Sequence, residues 1–188
     1  SIRERALQTY EMIRKRNTFL ANYDAKLDEV LKIVRENEDK HILIISKFSE
    51  FAAKITQFIN DMSEREICGN YHDRVDNVPA STVDGTPIYI KSGPQKGERR
   101  MFAAKDQKTL NEQRFNLGYI NVLSTNNSPN KELCIPIDII IITSPLCEEI
   151  ESYIYRLSNV EYPSGIIKLY TLYIKDSIEE KRVLSKTI

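Results

Sequence analysis

The feature that most constrains the fold is a set of short runs in which nearly every residue is apolar. The clearest are "HILIIS" (41–46) and "IDIIIIT" (137–143), and "YINVLST" (119–125) and "GIIKLYTLYI" (165–174) have the same character. A strand with one wet face alternates apolar and polar residues, whereas a continuously apolar strand is buried on both faces. Because such burial is typical of parallel sheets covered by helices, these runs predict an α/β fold.

The segments between these runs have helical periodicity. Apolar residues recur every three or four positions in four segments, which we predict as helices: 20–34, 48–59, about 107–117 and roughly 147–157. Gly118 fits the C-cap of the third helix. Near the end of the chain, Asp176 and Glu179 have the spacing of a capping box, which predicts a last helix.

The remaining segments complete the predicted organisation. "PIYIKSG" (87–93) is predicted as a further strand, and residues 61–86 mix Gly, Asn, Asp and Pro as an irregular insertion. Residues 1–20 are charged and weakly periodic, which predicts a lead-in arm or helix. The sequence therefore predicts one lobe at 21–188, a mostly parallel sheet with helices on both faces.

Composition excludes several classes of protein. The 188 residues include 27 Lys+Arg and 27 Asp+Glu, so any nucleic-acid binding must come from a local patch. Three Cys without paired spacing indicate a reducing intracellular compartment, such as nucleus, cytoplasm or virion. No apolar run is long enough to span a membrane. The first residue is Ser rather than Met, which suggests a piece of a longer polypeptide.

Familiar catalytic motifs are missing from the sequence. It contains no phosphate-binding G-x-x-x-x-G-K-[ST], no G-x-G-x-x-G and no nucleophile elbow. Cys68 and His72 are too few ligands for a zinc site, so no metal site is predicted. Glu148, Glu149 and Glu151 fit a solvated helix face better than acid–base catalysis.

The order of the motifs resembles a known family. "KLDEVLKIVRENEDKHILIISKFSEFAAKITQFIN", "IYIKSGPQKGERRMFAAKDQKTLNEQRFNLGYINVLSTNN", "IDIIIITSP" and "IIKLYTLYIKDSIEEKRVL" are similar, in that order, to the second RecA-like lobe of superfamily-two helicases and translocases. The "IEEK" tail resembles that of the Swi/Snf-type ATPases. The resemblance covers about 25–184. Richness in Ile, Asn and Lys is typical of an AT-rich genome, as in many viruses and phages.

The resemblance implies roles for particular residues. Ser124 and Thr125 occupy the family's loop that couples ATP to nucleic acid, and Ser92 lies in the Gly/Ser turn that follows a strand. Their hydroxyls are expected to contact backbone phosphates. For any single residue, an ordinary polar strand end is the alternative.

A basic segment from Lys91 to Lys105 is the best local cation cluster. It holds five cations against one acid, Glu98: Lys91, Lys96, Arg99, Arg100 and Lys105. We predict that Lys96, Arg99 and Arg100 bind nucleic-acid phosphates, and a solvated helix and turn is the alternative.

The final motif departs from the family. Arg156 matches its leading arginine and is predicted as catalytic, but Asn159 and Tyr162 stand where the phosphate-sensing arginines belong. Either Arg99 or Arg100 substitutes, or the site is weak or silent.

Three functions follow as expectations. The first is the C-terminal motor lobe of an ATP-dependent helicase or translocase, with nucleic acid, DNA rather than RNA, and an N-terminal lobe of the same full-length protein as partners. ATP and Mg²⁺ would bind the intact two-lobe protein, and this fragment alone is expected to bind neither and to be inactive. The second is a decayed module serving as a nucleic-acid clamp or protein scaffold. The third is an unrelated α/β protein for a small ligand.

Overall fold

The computed structural model describes residues 2–126, 137–145 and 167–186. Five helices lie in these ranges: α1 (Ile2–Ala21), α2 (Ala25–Arg35), α3 (Ser49–Asp61), α4 (Ala104–Asn116) and α5 (Ile178–Lys186). The same ranges hold seven strands: β1 (Ile42–Ser46), β2 (Cys68–Asn70), β3 (Val78–Pro79), β4 (Met101–Phe102), β5 (Val122–Asn126), β6 (Ile139–Ile142) and β7 (Lys168–Thr171).

The main sheet has five strands in the order β2-β5-β1-β6-β7. Every pair is parallel, with Ile44 opposite Ser124 and Ile45 opposite Ile142. The carboxyl ends of all five strands therefore lie at one edge, which is where ligands bind in open α/β sheets. The predicted α/β fold with a mostly parallel sheet is confirmed.

The sheet is buried on both faces. One core contains Ile42 and Ile44 with apolar residues of α2 and α3, and the other contains Leu43 and Ile45 with Phe115 of α4. Successive side chains of a strand point to opposite faces, so a strand between two helical layers must be apolar at every position. All five residues of β1 are buried.

Two predictions of the sheet were wrong. Residues 87–93 do not join it, and the strand next to β5 is Cys68–Asn70, inside the predicted irregular insertion. Gly69 sits so close to α4 that a Cβ there would lie 2.8 Å from Asn111 Cγ. Two of the three residues of this strand are Gly69 and Asn70, which do not form an apolar strand pattern. The strand is buried because α4 packs closely against Gly69 and not because its own side chains are large and apolar.

The segment 77–102 forms a small separate sheet, in which three antiparallel pairs of segments, here called arms, meet at one junction. The arms meet at a closed ring of backbone hydrogen bonds: Ala80 N donates to Arg100 O (2.7 Å), Ile88 N to Ala80 O (3.0 Å) and Arg100 N to Ile88 O (3.0 Å). β3 and β4 form the stem. One arm closes through 82–86, and the other, which we call the basic arm, comprises residues 89–99.

Helix ends also differ from the sequence prediction at two places. The predicted helix 20–34 is two helices, because α1 ends at Ala21 and α2 begins at Ala25. In α5 the cap is shifted by one residue: the Ser177 hydroxyl accepts from Glu179 N (3.1 Å) and Glu180 accepts from Asp176 N (2.8 Å). Asp176 is left with a positive φ of 58°.

The predicted cap of α4 is confirmed. Gly118 has φ 76°, and Tyr119 N donates to Arg114 O at 2.8 Å, as in a Schellman motif. Within the described ranges, no helix has the length and apolar character needed to cross a bilayer. The predicted helix 147–157 lies outside the described residues, and the division into an arm at 1–20 and a lobe at 21–188 stays a prediction.

Candidate nucleic-acid interface

The carboxyl edge of the sheet carries a buried layer of polar side chains. Ser46 ends β1, Ser124 and Thr125 lie in β5, and Thr143 and Ser144 follow β6; all five are buried. Thr143 Oγ1 donates to Ser46 Oγ at 3.0 Å. Neighbouring strand ends are thus joined by hydroxyl groups, which satisfies polar atoms that water does not reach.

Ser124 and Thr125 are therefore less accessible than the family resemblance implies. Ser124 is fully buried and its hydroxyl donates to the carbonyl of Ala52 in α3 at 2.9 Å. Thr125 is also buried, and its hydroxyl lies 3.5 Å from Asn126 O. In this arrangement the Ser124 hydroxyl fixes α3 to β5, and a role for either residue in nucleic-acid binding stays a prediction.

A buried ion pair at the same edge was not predicted. Lys26 Nζ of α2 lies 2.8 Å from Glu179 Oε1 of α5, and both side chains are almost fully buried. Nζ also donates to the carbonyl oxygens of Leu20 (2.8 Å) and Thr143 (2.7 Å). Glu179 Oε2 accepts from Ile174 N at 3.0 Å. The pair thus ties the "IEEK" helix to α2 and to the end of β6.

Burial has an electrostatic consequence for this pair. Desolvation lowers the pKa of Lys26, and the hydrogen bond and charge of Glu179 oppose that effect. A buried ammonium needs a complete set of acceptors, and three are present here. No sequence pattern indicates this pair, because Lys26 and Glu179 both occupy helices with many exposed charges.

Two helices begin at the carboxyl edge without side-chain caps. Phe48 and Ala103 are the N-cap residues of α3 and α4, and neither makes a side-chain capping bond. Lys47 adjoins the first start, and the exposed Lys105 lies in the first turn of α4. Uncapped N–H groups with the helix dipole favour negative charge, and each first turn already contains a carboxylate, Glu50 in α3 and Asp106 in α4.

The small sheet is attached to this edge. It follows β2, where Tyr71 N donates to Ser124 O at 2.7 Å, and it leads into α4. Gln107 Nε2 of α4 donates to Asp76 O (2.7 Å) and to Phe102 O (3.2 Å), which lie at the two ends of the small sheet. The two ends of the small sheet are thus anchored at the carboxyl edge, and the sheet packs along α4 from there.

The predicted basic contacts lie on this small sheet and are exposed. Ser92 and Lys96 are in the turn of the basic arm, Arg99 lies in its returning strand, and Arg100 is at the junction. None of the four cations Lys91, Lys96, Arg99 and Arg100 forms an ion pair with another residue in the described ranges. Arg100 lies over the Phe102 ring, 5.6 Å from its centroid.

His72 is a further polar group of the edge. It is only 2% exposed, its Nε2 lies 3.2 Å from Asn70 Oδ1, and Nδ1 has no hydrogen-bond partner among the residues described. Burial lowers its pKa, which favours the neutral ring. Cys68 lies at the other end of β2 within the core beside Thr56, and burial raises the pKa of its thiol to about 12.

Arg156, Asn159 and Tyr162 lie outside the described residues. Among those described, no group of three or more His, Cys, Asp or Glu side chains has the arrangement of a metal site.

Comparisons with known proteins agree on the fold. No family model matches the chain, and no curated protein matches its sequence. The structure is similar to the Pyrococcus furiosus Hef helicase domain, with a TM-score of 0.56, 17% identity, and coverage of 86% of this chain and 28% of that one. It is also similar to Mss116p DEAD-box helicase domain 2 bound to an RNA duplex, with a TM-score of 0.52, 11% identity, and coverage of 81% and 49%.

These likenesses define the class of fold. The five-stranded parallel sheet with its helices has an α/β fold like that of these helicase domains. The chain spans 28% and 49% of the lengths of these two helicase structures. Identities this low show the fold alone, so function must be argued from the residues of this chain.

Proposed function

We propose that this chain is the C-terminal motor lobe of an ATP-dependent nucleic-acid helicase or translocase. It grips backbone phosphates at the carboxyl edge of its sheet and closes on ATP and Mg²⁺ that an N-terminal lobe holds. The observation that carries the proposal is the exposed cation set of the basic arm, which makes no ion pair with the residues described and belongs to a small sheet anchored where α4 begins. Phosphates are the ligands that exposed arginine, lysine and helix N-termini attract.

The phosphate contacts are assigned to the exposed members of the predicted site. Lys96, Arg99 and Arg100 supply charge, and Ser92 supplies a hydroxyl in the turn of the basic arm. The Ser124 and Thr125 hydroxyls support the strand ends behind that surface. Binding of this kind is salt-dependent and independent of sequence. DNA is the preferred partner in this proposal, in a reducing intracellular compartment consistent with the free thiol of Cys68.

The proposal predicts a salt-dependent affinity that the basic arm controls. Binding of labelled DNA and RNA by the chain is measured by fluorescence anisotropy at several salt concentrations. The double variant Lys96→Gln/Arg99→Gln removes two cations and should flatten the slope of log K against log salt by about 1.5. The matched control removes two exposed lysines, Lys32 and Lys40, that lie away from the small sheet.

Two results would decide against the proposal. Equal effects of the control and arm variants would remove the basic arm as the interface, and undetectable binding at low salt would remove nucleic acid as the partner. ATP hydrolysis is expected to be absent from this chain alone, since the sequence has no phosphate-binding loop. A purified chain that hydrolyses ATP would contradict the division of labour between two lobes.

A decayed module that clamps nucleic acid is the second candidate. Asn159 and Tyr162 favour it, because neither side chain can brace a γ-phosphate with a cation. Nucleic-acid-stimulated ATP hydrolysis by a two-lobed protein containing this chain would exclude it. If that two-lobed protein binds nucleic acid with the same affinity in the presence of ATP and hydrolyses none, the clamp is favoured over the motor.

A further inference from the structure

We propose that the basic arm recognises single-stranded nucleic acid by stacking a base on Tyr89. The inference rests on the proposed function and adds a substrate class to it: unpaired strands are preferred over duplex. The side chains that carry it are Tyr89 and Arg99, which face each other on the arm.

The backbone brings these two side chains together. Tyr89 and Arg99 form an antiparallel bridge. The flanking hydrogen bonds are Ile90 N to Glu98 O (2.9 Å) and Arg100 N to Ile88 O (3.0 Å). Tyr89 and Arg99 are therefore a non-hydrogen-bonded pair, the type of antiparallel pair with the closest side chains.

The face on which they lie is open. Ile88, Arg100 and Phe102 line a groove of about 480 Å³ against α4. Tyr89 and Arg99 alternate with these residues along their strands, so their side chains point away from that groove. Tyr89 is 53% exposed and Met101, two residues beyond Arg99, is 49% exposed. An exposed phenol ring is an apolar surface that a planar base can cover.

Charge selects nucleic acid as the occupant of this surface. Lys91, Lys96 and Arg99 are exposed on the same arm, and Glu98 is its one acid. An aromatic side chain next to cations is the arrangement by which proteins bind single strands, where bases stack and phosphates pair with the charges. Bases in a duplex already stack on each other, so the ring adds nothing to duplex binding. Stacking of this kind requires no particular base.

The test compares strands and substitutions in one binding assay. The full chain is titrated into labelled oligothymidine, oligouridine and a DNA duplex at fixed salt. Tyr89→Ala should weaken binding of both single strands by on the order of tenfold and leave duplex binding nearly unchanged. Tyr89→Phe should restore single-strand affinity. Tyr119→Ala is the matched control, since Tyr119 is 44% exposed and lies beyond α4, away from the basic arm.

A spectroscopic variant gives an independent measurement. The sequence has no Trp, so Tyr89→Trp places the sole tryptophan of the chain on the arm. Its fluorescence should be quenched by oligothymidine and not by duplex, because quenching follows from ring contact with a base. Circular dichroism confirms that each variant is folded.

The outcomes separate the inference from the proposed function. An equal loss on single strand and duplex with Tyr89→Ala, or no loss on either, overturns base stacking, even while Lys96→Gln/Arg99→Gln weakens all binding. Unquenched tryptophan emission at saturating oligothymidine overturns it as well. An absence of salt-dependent binding to every nucleic acid overturns the proposed function, and the inference falls with it.

Discussion

The strand ends of the main sheet and the basic arm of the small sheet were both predicted to contact nucleic acid, and the structure separates them. Ser124 and Thr125 are buried, and the Ser124 hydroxyl is used within the fold. Lys96 and Arg99 are exposed and make no ion pair with the residues described. Two different sequence signals predicted these regions, polar residues at the end of an apolar strand and a cluster of cations. The first group is buried within the fold, and the second lies on an open surface.

Whether a polar residue is buried or exposed decides which measurement its substitution should change. A buried polar group that loses its partner costs free energy of unfolding, whereas an exposed charge has little effect on stability. Changes at the strand ends should therefore alter stability first. Changes on the basic arm should alter nucleic-acid binding and leave the fold intact.

The largest effect is expected from the buried Lys26–Glu179 pair. Lys26→Met or Glu179→Leu alone should lower the free energy of unfolding by about 3–5 kcal/mol, because each leaves a buried charge without its partner. The double variant should recover part of that loss. Urea denaturation measures all three. The matched control is Lys54→Met, which breaks the exposed 2.6 Å pair with Asp24 and should cost less than about 1 kcal/mol.

A smaller loss of stability is expected when either of two glycines is replaced by alanine, and the loss should differ between them. Gly69→Ala should destabilise the chain by about 1–3 kcal/mol, since the new Cβ would lie 2.8 Å from Asn111 Cγ and Ile120 Cδ1. Gly97→Ala in the basic arm meets open space but requires φ 92°, so about 1 kcal/mol is expected from the backbone alone. Thermal unfolding compares them. Equal stability of the Gly69→Ala variant and the wild type would contradict the close packing of α4 on β2.

Ser124→Ala decides directly between the two roles of the strand end. Loss of the bond to Ala52 O should lower stability by about 1 kcal/mol, a modest cost because that carbonyl also accepts from Thr56 Oγ1. Nucleic-acid affinity of the folded variant should match the wild type. An affinity loss without a stability loss would instead place the Ser124 hydroxyl on the phosphate, as the family resemblance implies.

The smallest effect concerns acid stability. Burial lowers the pKa of His72 below its ordinary 6.5, so the unfolded chain takes up a proton before the folded one does. This contribution to stability is present above pH 6.5 and is lost as the pH falls through the lower folded pKa. His72→Gln should flatten the decline in unfolding free energy below pH 6.5. An unchanged pH profile in the variant would show that His72 is already accessible to protons.

Much of the fold could be predicted because burial on both faces leaves a direct mark on sequence. The apolar runs predicted β1, β5, β6 and β7, and the helical periodicity predicted α3 and α4. The same reasoning failed for Cys68–Asn70, where glycine packing replaces apolar bulk, and for 87–93, whose apolar residues belong to the small sheet. The basic segment stays a predicted site, and the buried Lys26–Glu179 pair was not predicted from the sequence.

The pattern of apolar residues is enough to specify the layered α/β class, since a continuously apolar strand is stable only between two layers. Tertiary structure alone decided which polar residues are buried and which are open. Lys26 and Glu179 lie 153 positions apart and meet only when α2 and α5 pack at the end of β6. Tyr89 and Arg99 face each other only through the hydrogen-bond register of one small arm. Contact between distant residues depends on packing geometry, which no local pattern of residues specifies.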